Sequence, residues 1–543
     1  MKPATLHRER YEKLKGGRRN WENLWQELAD VLHPNRGDIT YGQESGSRKT
    51  DHIYDGTPMR ARRMLATTID GLIKPKSAKW FTAATDDDEL NEQDEVKRWF
   101  SVVDEVMWNA IYSRPARFIQ RSGEVDNDLV TFGWGAMYIG ENRGLNDLVF
   151  RSMHVKDVVI DENSDGVVDT LYYCMELTAR QAEQKWGLEK LGPKTREALT
   201  EMDGKNKDKK FKFLWCVYPR YDRDPRLETS VNLPFASIVI DIASDDHEVE
   251  TSGYHEFPFT VPRWETETGQ IYPRSPGMMA LPDANTLQAM GKTILVAGQK
   301  SVDPPFWMLD DSVIGAVRAF PGGSVVIDAE AARSFGQIPF GYLEMGKNIP
   351  LSREMQNDVR TMVEAAFFKN VFSLPVDGPD MTAYEVATRK EEFVRVMGPV
   401  FGQLEADYSG HIADRVFGIL MRAGMFPEPP EILMGRDVKF KFQSPIQVAR
   451  KQIEVNGMFA AFERLTPLIE VRPDLLDNYD LDEIARDVPD AQGAPQKWLM
   501  SLEKRDAMRQ QRAEQQQMQQ ALLQTQQVAD VAATARQAMP SAA

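Results

Sequence analysis

The sequence predicts an α+β protein that is mainly helical, and three patterns along its 543 residues carry this prediction. Before residue 120 and again after residue 276, apolar residues recur at spacings of three and four, the period of one helix face. Between residues 134 and 264, β-branched and aromatic residues alternate with polar ones, the pattern of half-buried strands. Loops rich in glycine, proline and polar residues separate these blocks.

Three amphipathic helices are predicted in the N-terminal region. The first ends at Pro34, and its apolar stripe consists of Trp21, Leu24, Trp25, Leu28 and Leu32. The second begins at Thr57, the predicted N-cap, with Pro58 as its first helical residue, and stops at Lys74. The third runs from about residue 92 to residue 113, with one face formed by Val96, Phe100, Val103 and Met107.

The middle of the chain is predicted to form antiparallel strands and hairpins, over residues 134–178 and again over residues 211–264. A short helix near residues 179–187 separates the two groups of strands. The charged stretch 201–210 is predicted to be an exposed loop.

After residue 276 the pattern predicts two helices with a small insert between them. The first helix spans residues 283–301 and is rich in small side chains, and the second spans residues 352–370. Strand-like runs at 324–328 and 337–343, together with glycine and proline turns, indicate that the insert is a compact α/β unit.

A proline-containing loop is predicted to follow the second of these helices. Its members are Val371, Phe372, Ser373, Leu374, Pro375, Val376, Asp377, Gly378, Pro379 and Asp380. Thr382 and Glu385 then form a T-x-x-E capping box that opens a long helix to about residue 424, with a kink predicted at Gly398-Pro399. The Gln- and Ala-rich end, residues 495–543, is predicted to be a helix that needs partners, or a disordered tail.

Composition narrows the classes of protein that the chain can belong to. Its net charge is −16, so it lacks the basic excess of a protein that grips DNA through phosphates. No run of 18 apolar residues is present, and residues 1–8 have no apolar segment, so neither a membrane span nor a secretory signal is expected. Cys174 and Cys216 lie far apart in the sequence, and neither belongs to a CxxC motif. This excludes a disulfide framework and fits a reducing cytoplasm.

One stretch ends like a nucleotide-binding loop, Met290-Gly291-Lys292-Thr293. The full motif needs a glycine five residues before Gly291, where this chain has Thr286, and it needs a preceding strand, where the pattern here is helical. Without the glycine-rich cradle the backbone amides cannot surround phosphates. The favoured interpretation is a lysine on a helix face.

Two acidic stretches are candidates for metal sites. Asp161 to Gly166 matches the first half of a calcium-binding loop, but position twelve is Tyr172 in place of the bidentate glutamate, so a hairpin turn is favoured and weak calcium binding stays open. Asp86 to Glu89 is a run of adjacent acids, and a solvated charge run is favoured because two-metal catalysis needs carboxylates that converge from different elements. The seven histidines form no zinc motif, and no nucleophile elbow is present. We therefore predict no catalytic residue, no cofactor and no resident metal.

Four blocks, in their order and spacing, resemble the head-to-tail connector, or portal, proteins of podoviruses. They are Trp21 to Ala29 ending at Pro34, Ile53 to Pro58 followed by Pro75 and Trp80-Phe81, Leu129 to Tyr138, and Met381 to Val386 with Arg389 and Glu392. The resemblance extends along most of the chain.

The resemblance implies a portal-type subunit with regions called wing, stem, clip and crown. The regions map onto wing 1–275, stem helix 276–302, clip 303–350, second stem helix 351–370, channel loop 371–380, a long kinked helix with the rest of the wing and the crown 381–494, and the tail 495–543. The channel loop would then project towards DNA. Lys292, Lys300, Arg353, Arg360 and Lys369 on the stem would contact DNA briefly if they face the channel, and otherwise they pair with neighbouring acids.

The resemblance also implies the function and the partners. Such a subunit would form a closed homo-oligomeric ring, commonly of twelve copies, that passes double-stranded DNA non-specifically through the capsid vertex during packaging, retention and ejection. Its expected partners are the large terminase subunit, which supplies the ATPase, tail adaptor and tail tube proteins, and the major capsid and scaffolding proteins. The expected location is the virion, after assembly in the host cytoplasm. A capsid shell or scaffolding protein is the alternative, and a packaging ATPase or nuclease is less favoured because it lacks the motifs.

Overall fold

The computed structural model describes most of the N-terminal three quarters of the chain and parts of the remainder. The described residues are 3–42, 46–76, 79–91, 93–142, 147–200, 206–224, 226–227, 229–302, 306–308, 340–342, 349–372, 395, 398–436, 438–442, 455, 457–467, 472, 478–491, 500 and 504–519.

Helices and strands are mixed, which confirms the predicted α+β class. The helices are α1 (Pro3–Gly17), α2 (Arg19–Leu32), α3 (Thr57–Ile73), α4 (Asp88–Asn91), α5 (Asp94–Ile111), α6 (Phe118–Phe132), α7 (Ala179–Trp186), α8 (Pro193–Thr200), α9 (Pro276–Val302), α10 (Ile349–Ala366), α11 (Lys369–Phe372), α12 (His411–Arg422) and α13 (Leu481–Ala491). Residues 398–404, 457–467 and 504–519 are also helical.

The strands fall mainly in the region where alternation predicted them. They are β1 (Phe81–Ala84), β2 (Ala136–Asn142), β3 (Asp147–Met153), β4 (Val158–Glu162), β5 (Val168–Thr178), β6 (Lys210–Pro219), β7 (Phe235–Asp241), β8 (His247–Tyr254), β9 (Phe259–Thr260), β10 (Phe306–Met308), β11 (Phe340–Tyr342) and β12 (Lys439–Phe442).

The chain divides into two compact units. One contains residues 1–78 and 109–423, and the other contains residues 79–108 and 424–543. The first unit includes both long helices that follow residue 276, the strands β2 to β11, and the N-terminal helices α1 to α3.

A five-stranded antiparallel sheet dominates the first unit, in the order β4-β5-β6-β7-β8. Its central register pairs Tyr172 with Cys216 and Cys216 with Ile238, so all three side chains lie on one face. Helix α1 covers that face with Ala4 and Tyr11, and together they form a buried cluster. Helix α1 has no apolar stripe strong enough to predict it, because only these two of its residues are buried.

A second sheet, in the order β3-β2-β9, packs beside helix α6. The turn between α6 and β2 is tight, because Gly133 has a φ of +90° and a Cβ at that position would lie 2.8 Å from the carbonyl oxygen of Pro273. The Leu129 to Tyr138 block thus marks a helix end, a glycine turn and the start of a strand.

The core of the first unit contains a buried ion pair between α6 and the end of α3. The Lys74 Nζ atom lies 2.8 Å and 3.0 Å from the two carboxylate oxygens of Asp126, and it lies 3.9 Å from the centre of the Tyr408 ring. All three side chains are buried. Burial raises the pKa of Asp126 to about 6, and the Lys74 charge opposes that rise.

Several predicted elements are confirmed and others need correction. The helices at residues 19–32, 57–73, 94–111 and 179–186 agree with prediction, whereas α6 and α8 were not predicted. The N-cap assignment of Thr57 is wrong: Thr57 is already helical, and its N–H donates 2.8 Å to a side-chain oxygen of Asp55, which supplies the cap from two residues upstream.

The long helix expected to end near residue 424 is described from residue 398 onward. It continues through Pro399 and contains a π-helical turn at Glu405–Gly410 before α12. The side chain of Thr260 donates 2.9 Å to the carbonyl oxygen of Asp407 within that turn. The capping box at Thr382 and Glu385 lies outside the described residues, and so do residues 396–397 directly before Gly398, so the capping box and the kink at 398–399 both stay predictions.

In the second unit, β1 pairs with β12 in an antiparallel ladder that joins Phe81 to Phe442. Helix α5 supports β1, because a carboxylate oxygen of Asp104 accepts the Ala83 N–H at 2.8 Å. Burial raises the pKa of Asp104 to about 7, and this exceeds the lowering that the Ala83 N–H and Lys79 cause.

This raised pKa predicts a pH-dependent stability. The folded protein binds the Asp104 proton more tightly than the unfolded chain, so the stability contribution of this group falls as pH rises from about 4 to about 7. Asp104→Asn removes that loss and keeps an oxygen for the Ala83 N–H. Between pH 5.5 and pH 8, urea titrations should show the advantage of the variant over the parent growing by about 1–2 kcal/mol.

Glu105→Gln is the matched control, because Glu105 is an exposed acid on the same helix. Its stability difference from the parent should stay constant over this pH range. Equal pH slopes for the parent and Asp104→Asn would contradict the prediction.

Candidate functional site

Helices α9 and α10 are the structural counterpart of the predicted pair of helices around the insert. They pack against each other, and strands β10 and β11 pair in antiparallel register between them along the chain. Helix α9 begins at Pro276 rather than near residue 283 and includes Pro282. The insert between 309 and 339, including the predicted strand 324–328, lies outside the described residues.

Gln288 on α9 binds the backbone of the non-helical segment that precedes α3. Its side-chain oxygen accepts the backbone N–H groups of Tyr54 and Asp55 at 2.8 Å and 2.9 Å. Its side-chain nitrogen donates 2.8 Å to the carbonyl oxygen of Asp55. The amide thereby satisfies three backbone groups in a buried position, where each would otherwise be costly to leave without a partner.

Asp55 connects the same segment to α10. One carboxylate oxygen accepts the Thr57 N–H, and the other accepts the Arg360 Nε–H at 2.8 Å and an N–H of Gln356 at 3.4 Å. Burial favours the neutral acid, but the bonds from Thr57 and Arg360 outweigh it and hold the pKa of Asp55 below its usual value. We call Asp55, Thr57, Gln288, Gln356 and Arg360 the stem clamp.

Close packing of α9 against this segment depends on Gly291, one turn after Gln288. A Cβ at Gly291 would lie 3.1 Å from the Cβ of Tyr54 and 3.6 Å from the side-chain nitrogen of Gln356. The false nucleotide-binding motif is therefore a helical turn in which glycine permits a close approach between elements.

Three stripes run along α10, because residues three and four apart share a face. Gln356 and Val363 are buried, and they mark the face turned towards the rest of the unit. An exposed apolar stripe consists of Leu351, Met355 and Met362. On roughly the opposite side, at 3.6 residues per turn, a polar stripe consists of Arg353, Asn357, Arg360 and Glu364.

The five basic residues predicted on the stem differ in their surroundings. Lys292, Lys300 and Arg353 are exposed and form no ion pair within the described residues. Arg360 pairs with Asp55, and Lys369 lies 2.5 Å from a carboxylate oxygen of Glu364. Their proposed contact with DNA stays a prediction for all five.

The predicted channel loop is described only at its start. Val371 and Phe372 end the short helix α11, and residues 373–380 lie outside the described part of the chain.

In both acidic stretches, carboxylates form ion pairs with basic side chains. The Asp161 carboxylate forms an ion pair with Arg10 at 2.8 Å, and the Glu162 carboxylate forms one with Arg263 at 3.0 Å. Asn163 closes the hairpin by accepting the N–H groups of Asp165 and Val167. The favoured hairpin turn is confirmed.

The run that begins at Asp86 is likewise engaged. Asp86 pairs with Lys439 at 2.6 Å, and Asp87 lies 3.4 Å from an Nη atom of Arg436. Among the described residues, no group of three or more His, Cys, Asp and Glu side chains could hold a metal ion. No helix in the described part is long and apolar enough to cross a membrane.

Comparison with known sequences gives matches over nearly the whole chain. The family described as bacteriophage head to tail connecting protein matches residues 4–500. The portal protein of Salmonella phage epsilon15 is 28% identical over 534 residues, which cover 96% of this chain and 93% of that protein. The probable portal protein of Bordetella phage BPP-1 is 27% identical over 531 residues, covering 96% and 94%.

Comparison with solved structures gives partial superpositions. A chain from the virion of a native gene transfer agent particle superposes with a TM-score of 0.36 and 9% identity, covering 77% of this chain and 90% of that one. A chain from the neck of the native particle, computed with C12 symmetry, gives a TM-score of 0.35 and 8% identity, covering 76% and 88%.

The partners of Asp161 and Glu162 predict the response to calcium. Because arginines occupy both carboxylates, millimolar calcium should leave the thermal midpoint unchanged within about 1 °C. Differential scanning fluorimetry with equal magnesium as the control measures this. A calcium-specific rise of several degrees that Asp161→Asn abolishes would show that the loop binds calcium after all.

Proposed function

Since this chain belongs to the bacteriophage head-to-tail connecting protein family, it serves as a portal subunit and is a structural component of the phage particle, and we propose how its stem supports that role. Copies of the chain form a closed ring, commonly of twelve, around a channel for double-stranded DNA. The observation that carries the proposal is the arrangement of α9 and α10, clamped to the N-terminal helices on one side and flanking an insert on the other.

Helix α10 offers one of the two faces that a closed ring requires of a subunit. A ring needs a head-to-tail interface, in which each subunit presents two different faces to its two neighbours. The apolar stripe of α10 supplies one of these faces, and it lies roughly opposite the polar stripe that carries Arg353. Leu351, Met355 and Met362 are all more than half exposed in the single chain, and contact with a neighbouring copy would remove them from water.

Charge suits a channel through which DNA slides. Each subunit carries −16, so a ring repels phosphate over most of its surface and offers no strong binding site. Lys292, Lys300 and Arg353 are exposed cations without an ion pair in the described residues, and they supply brief phosphate contacts along the stem. In the same proposal, the loop 371–380 projects towards the DNA.

The remaining partners follow from the same proposal. A separate terminase binds the clip, residues 303–350, and supplies the energy for packaging, and tail adaptor and tail tube proteins replace it afterwards. Capsid and scaffolding proteins contact the wing while the particle assembles in the host cytoplasm. In this arrangement the chain itself catalyses no reaction and needs no cofactor.

Ring formation should depend on the apolar stripe of α10. Met355→Glu places a charge in the proposed interface and should shift native mass spectra from rings of about twelve subunits to monomers, because a buried unpaired carboxylate is costly. Met421→Glu is the matched control, since it makes the same change at an exposed methionine of α12, outside the stem.

Native mass spectra and negative-stain images of the parent decide between functions. Rings with a central hole support the portal proposal, and closed cages or filaments would replace it with a shell protein. Intact rings for Met355→Glu would remove the apolar stripe from the interface.

The exposed cations should influence DNA retention and leave assembly unchanged. The triple variant Lys292→Gln, Lys300→Gln and Arg353→Gln should give normal rings but a larger fraction of empty particles, because phosphate contacts along the channel are lost. Lys190→Gln, Lys194→Gln and Lys207→Gln remove the same charge from exposed positions before residue 275 and serve as the control. Equal DNA content in both triple variants would contradict a role in the channel.

A further inference from the structure

We propose that the exposed end of α9 is the second ring interface of the subunit, and that it receives the apolar stripe of α10 from a second copy of the chain. The inference rests on the proposed portal function, because it names the face that completes a head-to-tail contact. Three properties of the stem support it: the side to which each surface points, the side chains that each surface carries, and the charges beside them.

One side of α9 is buried in the first half of the helix and exposed in the second half. Gln288 lies on this side and is bonded to the backbone of residues 54–55. Residues seven apart lie on nearly the same side of a helix, so Leu295 and Val302 continue the side of Gln288. Leu295 is 54% exposed and Val302 is 88% exposed. The side of α9 that packs on residues 54–55 therefore extends beyond them as an exposed apolar surface.

This surface of α9 contains a groove. Among the described residues, the groove is lined by Ile294, Leu295, Gly298, Gln299, Lys300 and Val302. A Cβ at Gly298 would meet no other atom of the described residues within 4 Å, so the glycine leaves room for a side chain from outside. Methionine is long and flexible and fills irregular apolar gaps of this kind. We call Leu295, Gly298 and Val302 the near face, because they lie on the side of residues 54–55.

The apolar stripe of α10 points away from residues 54–55. Arg360 bonds to Asp55, so its side of α10 is turned towards that segment. Met362 lies two residues after Arg360, which is a rotation of about 200° around the helix. We call the stripe of Leu351, Met355 and Met362 the far face. The near and far faces thus lie on opposite sides of the α9–α10 pair, which is the arrangement that a head-to-tail contact requires.

The charges beside the two faces have opposite signs. Lys292 is exposed one turn after Gln288, and Arg353 is exposed on the polar stripe of α10, so both cations lie on the side of the near face. Glu354 and Asp358 are exposed acids within one turn of far-face residues. Opposite charges at an exposed rim add little affinity, but they favour one orientation of the two copies and speed their encounter. A second copy of this chain therefore fits both faces in apolar character and in charge.

Mixing two oppositely altered full-length chains tests the pairing of these faces. Leu295→Lys places a charge in the near face, and Met355→Glu places one in the far face. Each variant alone should remain monomeric in native mass spectra at concentrations where the parent forms rings, because every contact would bury an unpaired charge. A mixture should recover rings with an even number of subunits and equal amounts of both variants. Alternating copies would bring the opposite charges together at one contact and keep the parent residues at the next.

Cysteine crosslinking tests the same contact without adding charge. Leu295→Cys chains mixed with Met355→Cys chains should form covalent dimers of the two different chains with a short thiol crosslinker. Either variant alone should give only the background of the parent, whose cysteines are the buried Cys216 and the half-buried Cys174. Asn357→Cys is the matched control, because it lies two residues from Met355 on the opposite side of α10. Mixed with Leu295→Cys, it should also give only background.

Three results would overturn the near face and leave the portal function intact. The first is a set of normal parent rings in which the 295–355 crosslink does not form. The second is efficient crosslinking of Leu295→Cys with itself, which would indicate a symmetric contact. The third is slow maleimide labelling of Leu295→Cys in monomers that also carry Met355→Glu, since another segment of the same chain would then cover the groove.

Other results separate the contact from the ring. If the 295–355 crosslink forms but the parent assembles into cages or filaments, the contact stands and the ring proposal fails. If the parent remains monomeric at high concentration and gives no crosslink, both fail. Rings from the mixed variants, together with the crosslink between different chains, would support both.

Discussion

The segment from Tyr54 to Thr57 is the support on which the stem depends. Residues 54–56 belong to no helix or strand, so their backbone N–H and C=O groups need partners from elsewhere. Gln288 on α9 makes three of these bonds, and the Asp55 side chain connects the segment to α3 and α10. Removal of the Gln288 or Asp55 side chain would leave buried backbone groups of this segment without a hydrogen-bond partner. The interaction joins parts of the chain separated by 233 to 305 residues, so it forms only when the whole unit has folded.

The charged side chains of this unit differ in their burial. Lys74 and Asp126 form a pair in the core beneath the Tyr408 ring, and Arg415 reaches Glu256 from α12. Such pairs specify one packing arrangement, because a buried charge tolerates few alternatives. Lys292 and Lys300 on α9 are instead exposed.

Two of the sequence blocks that resemble the portal family have identifiable structural roles. Ile53 to Pro58 contains the clamp and the start of α3, and Leu129 to Tyr138 contains the glycine turn that connects α6 to β2. The partial nucleotide-binding motif and the partial calcium-binding loop also have structural roles. Gly291 permits close helix packing, and Asp161 to Gly166 forms a hairpin whose carboxylates bind Arg10 and Arg263. These short motifs therefore indicate local backbone structure. Whether they bind a ligand depends on neighbouring residues from other parts of the chain, which a short motif does not contain.

The sequence by itself determined the α+β class, the sheet region, the amphipathic helices with strong stripes such as α2 and α5, and the pair of helices around an insert. These features depend on local periodicity and turn chemistry, which neighbouring residues encode. Helix α1 escaped prediction because only Ala4 and Tyr11 are buried against the sheet. The role of Asp55 could not be predicted from the sequence, because its partners Gln288, Gln356 and Arg360 come from distant parts of the chain. Only tertiary structure decides which polar side chains meet and which remain in water, because that choice depends on contacts that sequence spacing does not specify.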